Sequence, residues 1–585
     1  MSQATCQSTS AILLYRVKLT ADPQIQRSGK FASKMVKRSQ IPMIAALGLL
    51  ATPASALPID TGTGVKLSVD NTFEFTLVDQ LGSAAFGPSG RCLPDSGPFV
   101  VEASLFSCAV RSGLTSTRSE WEPRLSASYG GFGLEVSAYG EYDPVYSAFK
   151  KQPPAVPAVA NVTRLFSENN DDDGVNGIEL QDFYVSGMVN LGEDLPLSFK
   201  VGRQVSVWGE SLYFPENGIA GGQTPIDTFR YKPIASYDEN QQLLPVAQVT
   251  FSLQPNDGLA IIGYYQFEWR RDRISPYDAE ISNDEIVTQD NIRQIVMPRS
   301  GGQPVVFNRV QDQASDSTDQ FGLGIRQRLG DFDFGLYGLS FNAKVPEFDA
   351  HLPFFDSDEN PNVGTYDLFF PRDIEIFGAS LSGPLGDGTF GAEVSGRRNQ
   401  PLVNPGVILT ATTEVGENDD AKQDADRFPL GDTLHAQFSW ITPIAPLSWL
   451  PDGANFSGEV AGNHLIAPTA SPNLITPGRT QTAAAIRTVI EPQFFQIVPR
   501  VDLTIPVQLG YNLFGNSSID PSMNRGTGDV TLGANLTLDE TWKLALSGTH
   551  YIGDTKNSFL PDTPIGLTQS LSRQDFISLS VKTSF

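Results

Sequence analysis

No run of 18 apolar residues occurs in this 585-residue chain, so a bundle of membrane helices is excluded. Basic residues are scarce: 41 Lys and Arg face 66 Asp and Glu, a formal net charge of -25. Nucleic acid is excluded as a partner, because phosphate binding rests on clustered Lys and Arg. Cysteine and histidine are nearly absent, at 3 and 4 residues. They show no CxxC or Cys/His spacing for a structural metal, and no residue pattern calls for a cofactor. What the chain does have is 36 Phe, 16 Tyr and 6 Trp in a composition that is 40% hydrophobic. That aromatic content argues against disorder. Its apolar residues are spread thinly, as in a β-rich protein.

Lys37 and Arg38 precede the short apolar stretch Ile41–Leu50, which is followed by Ala54-Ser55-Ala56. A basic region, an apolar core too short to span a bilayer and a small-residue cleavage site make residues 35–56 a signal peptide, cut after Ala56. Residues 1–34 then read as an extension from a mis-assigned upstream start. The alternative is a membrane anchor, for which the stretch is short. Residues 57–585 read as a single domain carrying 34 basic and 65 acidic side chains. Cys6 leaves with the leader. Cys92 and Cys108 are candidates for a disulfide in an oxidising compartment, with two free thiols as the alternative.

The dominant pattern is a two-residue period. Ile577, Leu579, Val581 and Phe585 share one parity, and Ser578, Ser580, Lys582 and Ser584 the other. Such alternation marks a strand with one apolar and one wet face. About 18 segments repeat it, at 65–78, 120–129, 132–141, 179–190, 196–208, 245–254, 259–269, 319–329, 332–341, 373–382, 389–397, 432–441, 455–464, 484–496, 500–511, 528–538, 541–551 and 574–585. Strands of about ten residues suit a tilted bilayer crossing. Tight connections such as 130–131, 330–331 and 539–540 alternate with long ones such as 143–178, 209–244 and 270–318. This is the asymmetry of outer-membrane barrels, with short periplasmic turns and long outer loops. The fold class predicted is an all-β, closed antiparallel transmembrane barrel of 16–18 strands. A soluble sandwich or propeller is the rival, but it would not need alternating loop lengths. Pro506 falls in mid-strand, where it cannot donate to the ladder, and a bulge is expected there.

The segments Val201-Gly-Arg-Gln-Val-Ser-Val-Trp-Gly-Glu-Ser211, Tyr264-Tyr-Gln-Phe-Glu-Trp269, Phe370-Pro-Arg-Asp-Ile374 and Arg397-Arg-Asn-Gln-Pro-Leu402 resemble the proteobacterial outer-membrane family catalogued as domain of unknown function number 1302. The resemblance covers most of residues 57–585. It implies a large outer-membrane β protein with a role in moving apolar molecules, and it carries over no catalytic residue.

A barrel of this size is too wide for side chains alone to fill. Parity and position nominate Lys200, Gln204, Trp208, Glu210, Asp227, Glu268, Arg326, Arg328, Glu393, Arg397 and Glu459 as lumen or constriction residues, since mixed charges on facing walls make a selective pore. The plainer reading is a solvated or self-paired inner wall. Arg203 falls on the lipid-facing parity, and a bulge at Gly202 is expected to turn it inward, a position near the membrane interface being the alternative. Residues 208–230, rich in Gly, Pro and aromatics, are expected to fold back into the barrel mouth, a free surface loop being the alternative. Asn169–Gly174 has the start of a calcium loop but lacks its glutamate register and flanking helices, so it reads as an acidic outer loop. His435 and His464 lie in strands without a nucleophile elbow, and no enzyme is expected.

These features predict a channel in the bacterial outer membrane for small, hydrophobic or amphipathic molecules. The alternatives are a plugged structural or adhesive barrel and, more distantly, a hydrolase. Expected partners are outer-membrane lipid and lipopolysaccharide, the barrel-assembly machinery acting on the strand that ends in Phe585, and periplasmic transport partners.

Overall fold

The computed structural model describes residues 57–60, 62, 64–81, 113–145, 176–192, 195–230, 242–273, 294–297, 305–315, 320–352, 363–404, 409–411, 428–553 and 575–585. Four of the expectations above lie outside these residues: the extension 1–34, the signal peptide 35–56 with Ala54 and Ala56, the Cys92–Cys108 pair, and the acidic loop Asn169–Gly174. No helix among the described residues is long and apolar enough to cross a membrane.

The chain closes into an 18-strand antiparallel barrel. Its first six strands are β1 (Lys66–Gln80), β2 (Gly113–Tyr129), β3 (Phe132–Tyr142), β4 (Gly177–Asn190), β5 (Pro196–Gln204) and β6 (Val246–Asn256). Next come β7 (Leu259–Gln266), β8 (Phe321–Leu329), β9 (Phe332–Phe341), β10 (Ile374–Leu385), β11 (Gly388–Pro401) and β12 (Leu430–Ile444). The ring is completed by β13 (Ala454–Ala470), β14 (Thr482–Val498), β15 (Val501–Thr504 and Val507–Phe514), β16 (Gly528–Leu538), β17 (Trp542–Ile552) and β18 (Phe576–Ser584). Several strands run to 15 or 17 residues, longer than periodicity alone suggested. Each strand pairs with its sequence neighbours, and β18 returns to β1 with Leu579 opposite Leu77. The terminal residue completes the seam. Phe585 exchanges backbone hydrogen bonds with Asn71 at 2.7 and 2.9 Å. Its ring stacks 5.7 Å from Phe73, which stacks in turn on Trp121.

Alternation decides which face each side chain takes. On β17 Leu544 and Leu546 are exposed on the outside while Ser547 and Thr549 are buried on the inside. On β12 Leu434 and Phe438 face out and Thr433, His435, Gln437 and Ser439 face in. Apolar residues on the exposed surface and polar ones within reverse the arrangement of a soluble protein, as lipid requires. Near the short-turn end Phe332, Phe390, Phe438, Trp440 and Phe456 form a row of rings spaced 5.6–6.2 Å apart from β9 to β13, in the manner of an interfacial girdle.

Two expected bulges are absent. At Pro506 the register does not shift: Gln493 opposes Thr504 and Ile490 opposes Val507, on one unbroken count. Ile505 N still donates to Pro492 O at 3.0 Å and Gly533 N to Pro506 O at 2.8 Å. The proline therefore removes one donor, and no extra residue is needed to absorb it. At Gly202 pairing with both neighbours is equally unbroken. The backbone bends instead through a φ of +130°, which glycine tolerates.

At the long-loop end, segments from three connections build a five-stranded sheet that the periodicity did not reveal. Its order is Leu409–Ala411, Glu347–Leu352, Val363–Phe369, Val305–Arg309, Gln294–Met297. Two of its pairings are parallel, which is possible because the strands come from different loops. Phe369 packs on Phe428, with Leu430 of β12 against the same cluster, and so joins this sheet to the barrel rim.

Candidate functional site

After Gln204 the chain leaves the wall and crosses the lumen before rejoining it at Val246 on β6. Two inward carboxylates hold the crossing segment by its backbone. Glu393 on β11 accepts hydrogen bonds from Glu210 N and, at 2.9 Å, from Ile219 N. Glu459 on β13, fully buried, accepts from Leu212 N at 3.1 Å, Phe214 N at 3.0 Å, Tyr213 N and Ser211 Oγ. Loop amides have no ladder partner, so an anionic acceptor is a strong way to satisfy them away from bulk water. Arg397 Nη2 donates to Glu216 O at 2.7 Å and Gly218 O at 2.8 Å, so the same wall binds the segment's carbonyls too.

The tip of the crossing is the turn Phe214–Gly218, where Asn217 N and Gly218 N both donate to Phe214 O. Asn217 faces the wall, its Oδ1 3.1 Å from His435 Nδ1 and its Nδ2 donating to Gln437 Oε1 at 3.3 Å. The other ring nitrogen of His435 lies 2.9 Å from Thr433 Oγ1 on the same strand, so one nitrogen holds the turn and the other fixes the ring on the wall. His464 faces outward and pairs with Thr482. Small wall residues make room for the segment. Phe214 packs over Ala461, Ala483 and Ala485, and Ile219 lies so close to Gly378 that a Cβ there would meet it at 2.9 Å.

On the β2–β4 side of the lumen a second group of charges gathers where the segment ends. Asp227, fully buried, pairs with Arg273 at 2.7 Å and Arg230 at 3.3 Å. Glu179 on β4 takes Arg273 at 2.8 Å, Arg230 at 3.6 Å and Arg270. The Arg230 guanidinium lies 3.8 Å from the centre of the Tyr139 ring, whose hydroxyl donates to Glu120 at 2.5 Å and Glu141 at 3.0 Å. Near the root of the segment Asp272 Oδ1 accepts from Ile226 N at 2.8 Å. Burial, reinforced by repulsion from Glu216, raises its carboxyl to about 7. Burial likewise lowers the neighbouring Lys344 ammonium to about 8.

Of the residues nominated from sequence, Trp208, Glu210, Glu393, Arg397 and Glu459 come together on or against the crossing segment, with Gln204 buried at its entry. Asp227 joins the arginine group instead. Arg203 and Glu268 pair at 3.6 Å beside it, so Arg203 reaches a lumen partner without the expected bulge. Arg326 touches the Tyr337 hydroxyl at 3.3 Å. Lys200, set over the Tyr184 ring at 4.9 Å, and Arg328, paired with Asp333 at 3.3 Å near the 330–331 turn, lie apart from the segment. Sequence reasoning missed Asn217, the anchoring role of His435 and the arginines at 230, 270 and 273. The run Arg270-Arg271-Asp272-Arg273 was the available signal.

The sequence model of the family described as "Protein of unknown function (DUF1302)" matches residues 39–585. No curated protein matches the chain. Similar solved structures include OccD3 (OpdP) of Pseudomonas aeruginosa, 11% identical over 92% of this chain and 96% of that one, with a TM-score of 0.37. OccAB2 of Acinetobacter baumannii is 9% identical over 89% and 98%, with a TM-score of 0.39. The outer membrane channel DcaP of Acinetobacter baumannii is 8% identical over 90% and 99%, with a TM-score of 0.35.

Two outcomes follow from these anchors. Replacing Glu459 with Ala orphans the amides of residues 212–214 and should lower stability by about 3 kcal/mol, opening a protease-sensitive site within 208–218. An intact, resistant segment in that variant would mean that other contacts hold it. Asp272, with its raised carboxyl, keeps a proton when folded that it gives up when unfolded, so its contribution is complete below pH 4 and is lost as pH rises towards 7. Denaturation midpoints should therefore fall over that range in the wild type, and the fall should be shallower in Asp272→Asn. Equal slopes would assign the pH dependence to other groups.

Proposed function

We propose that this chain, which belongs to the family described as Protein of unknown function (DUF1302), is an outer-membrane channel for small hydrophobic or amphipathic molecules, its lumen narrowed by the segment 208–230. The observation that carries this reading is the crossing segment itself, clasped through its backbone by Glu393 and Glu459 inside a closed barrel. A structural barrel needs no such device. A channel needs one, because an interior this wide does not discriminate among small solutes until something crosses it. The apolar outer belt and aromatic row support insertion in a bilayer, with short turns facing the periplasm and long loops outward.

On this reading Glu210, Glu393, Arg397 and Glu459 shape the constriction. Lys200, Arg326 and Arg328 line its short-turn vestibule. The outer face meets lipid and lipopolysaccharide, and the barrel-assembly machinery grips β18 through Phe585. Periplasmic transport partners meet the short-turn end.

Removing residues 212–226 from the refolded protein should raise single-channel conductance in planar bilayers several-fold. Unchanged conductance would take the segment out of the permeation path. A wild-type barrel that never conducts or admits solute in liposome swelling would favour a plugged lumen instead.

A further inference from the structure

Among the described residues the inner wall carries a patch of large apolar side chains where strand parity would otherwise place polar residues. Ile262 and Tyr264 on β7, Leu339 and Phe341 on β9, and Ile374 and Ile376 on β10 all point inward and are buried. The inside of β12, by contrast, is polar, and on β13 and β14 the inward residues beneath Phe214 are small alanines. Two side chains of the crossing segment, Trp208 and Ile219, cover the patch. The Trp208 ring meets Tyr264 edge-on at 5.0 Å and lies 5.8 Å from Tyr337.

Within this patch one group is out of place. Tyr264 is 4% exposed, and its hydroxyl has no hydrogen-bond partner. Two other buried inward tyrosines are satisfied: the Tyr337 hydroxyl meets Ser380 at 3.1 Å, and that of Tyr139 donates to Glu120. A buried hydroxyl without a partner costs free energy that phenylalanine would avoid. A second orphan donor lies close by. Gln223 Oε1 accepts from Trp208 N at 2.5 Å and its backbone oxygen from Gln266 Nε2 at 2.7 Å, yet its own Nε2, buried, finds no acceptor. Apolar walls, an aromatic cover and unused donors are the features of a ligand site in which a few polar groups fix orientation.

We propose that this patch is the cargo's docking site and that cargo displaces the Trp208 and Ile219 side chains from it. The cargo class is a small molecule with an apolar, ring-sized body and a single hydrogen-bond acceptor, such as a ketone, ester or ether oxygen. The body replaces the two segment side chains, and the acceptor takes the Tyr264 hydroxyl. This rests on the channel reading, because only a molecule that enters the lumen reaches the patch. The glycine at 322 leaves room for both rings of the site, since a Cβ there would clash with Tyr264 and meet Trp208 at 3.0 Å.

The test uses two shape-matched probes, 2-acetylnaphthalene and 2-ethylnaphthalene. Their binding to refolded full-length protein in detergent is measured by equilibrium dialysis against protein-free micelles. The wild type should bind the acetyl compound saturably at one site, about tenfold more tightly than the ethyl compound. In Tyr264→Phe that preference should vanish, the acetyl affinity dropping to the ethyl level while the denaturation midpoint stays equal or rises. A variant with a lowered midpoint is replaced by Gln223→Leu, which should likewise narrow the preference. No saturable binding, equal binding of both probes by the wild type, or a preference that survives Tyr264→Phe would overturn the site. Planar-bilayer conductance of the same wild-type preparation separates the two claims: a barrel that conducts but binds neither probe keeps the channel and loses the site.

Discussion

Hydrocarbon offers no partner for a backbone N–H or C=O, so a sheet placed in it has to close on itself. The rest of this molecule follows from that closure. It joins β18 to β1 through nine opposed residue pairs from Thr72↔Ser584 to Gln80↔Phe576, and seats Phe585 against Asn71 beyond the first of them. Closure also explains why Pro506 is tolerated. In a ring bonded on both sides, one missing donor is a local loss, and the ladder resumes in register on either side of it. The same closure turns half of every strand outward to lipid and half inward, leaving a cavity wider than the inward side chains can fill.

That surplus width is met by chain borrowed from a loop. The crossing segment has no sheet of its own, so its amides and carbonyls need partners from the wall. Glu393 and Glu459 accept, Arg397 donates, and His435 and Gln437 hold the Asn217 turn. Glycine and alanine at inward positions of β10, β13 and β14 lower the wall where Ile219 and Phe214 lie. On the opposite side charges gather in pairs, where Arg230, Arg270 and Arg273 converge on Asp227 and Glu179. Each such pair repays its desolvation only because the partners are close and further hydrogen bonds complete them.

Strand number and facing were legible because parity is a local property: each strand declares its two faces over its own ten residues. The inward placement of Glu393, Arg397 and Glu459 followed from it, and the aromatic, Gly-rich character of 208–230 pointed to a segment that does not stay in water. What filled the lumen beyond that was not legible. Asn217 and His435 meet across 218 positions of sequence, and nothing in either neighbourhood marks the other. The loop sheet likewise joins strands from three separate connections. The bends at Gly202 and Pro506 were misjudged for one reason. A residue that breaks the strand pattern suggests an inserted residue, but a glycine φ or a single lost donor absorbs the irregularity at constant register.

Site-directed spin labelling along β18, in protein reconstituted into lipid vesicles, tests the central claim most directly. Labels at positions 577, 579 and 581 should collide with oxygen dissolved in the bilayer. Labels at 578, 580 and 582 should be screened from it, giving a two-residue oscillation across the strand. A flat profile, or protein that stays in solution without detergent or lipid, would contradict a sheet closed on itself within a membrane.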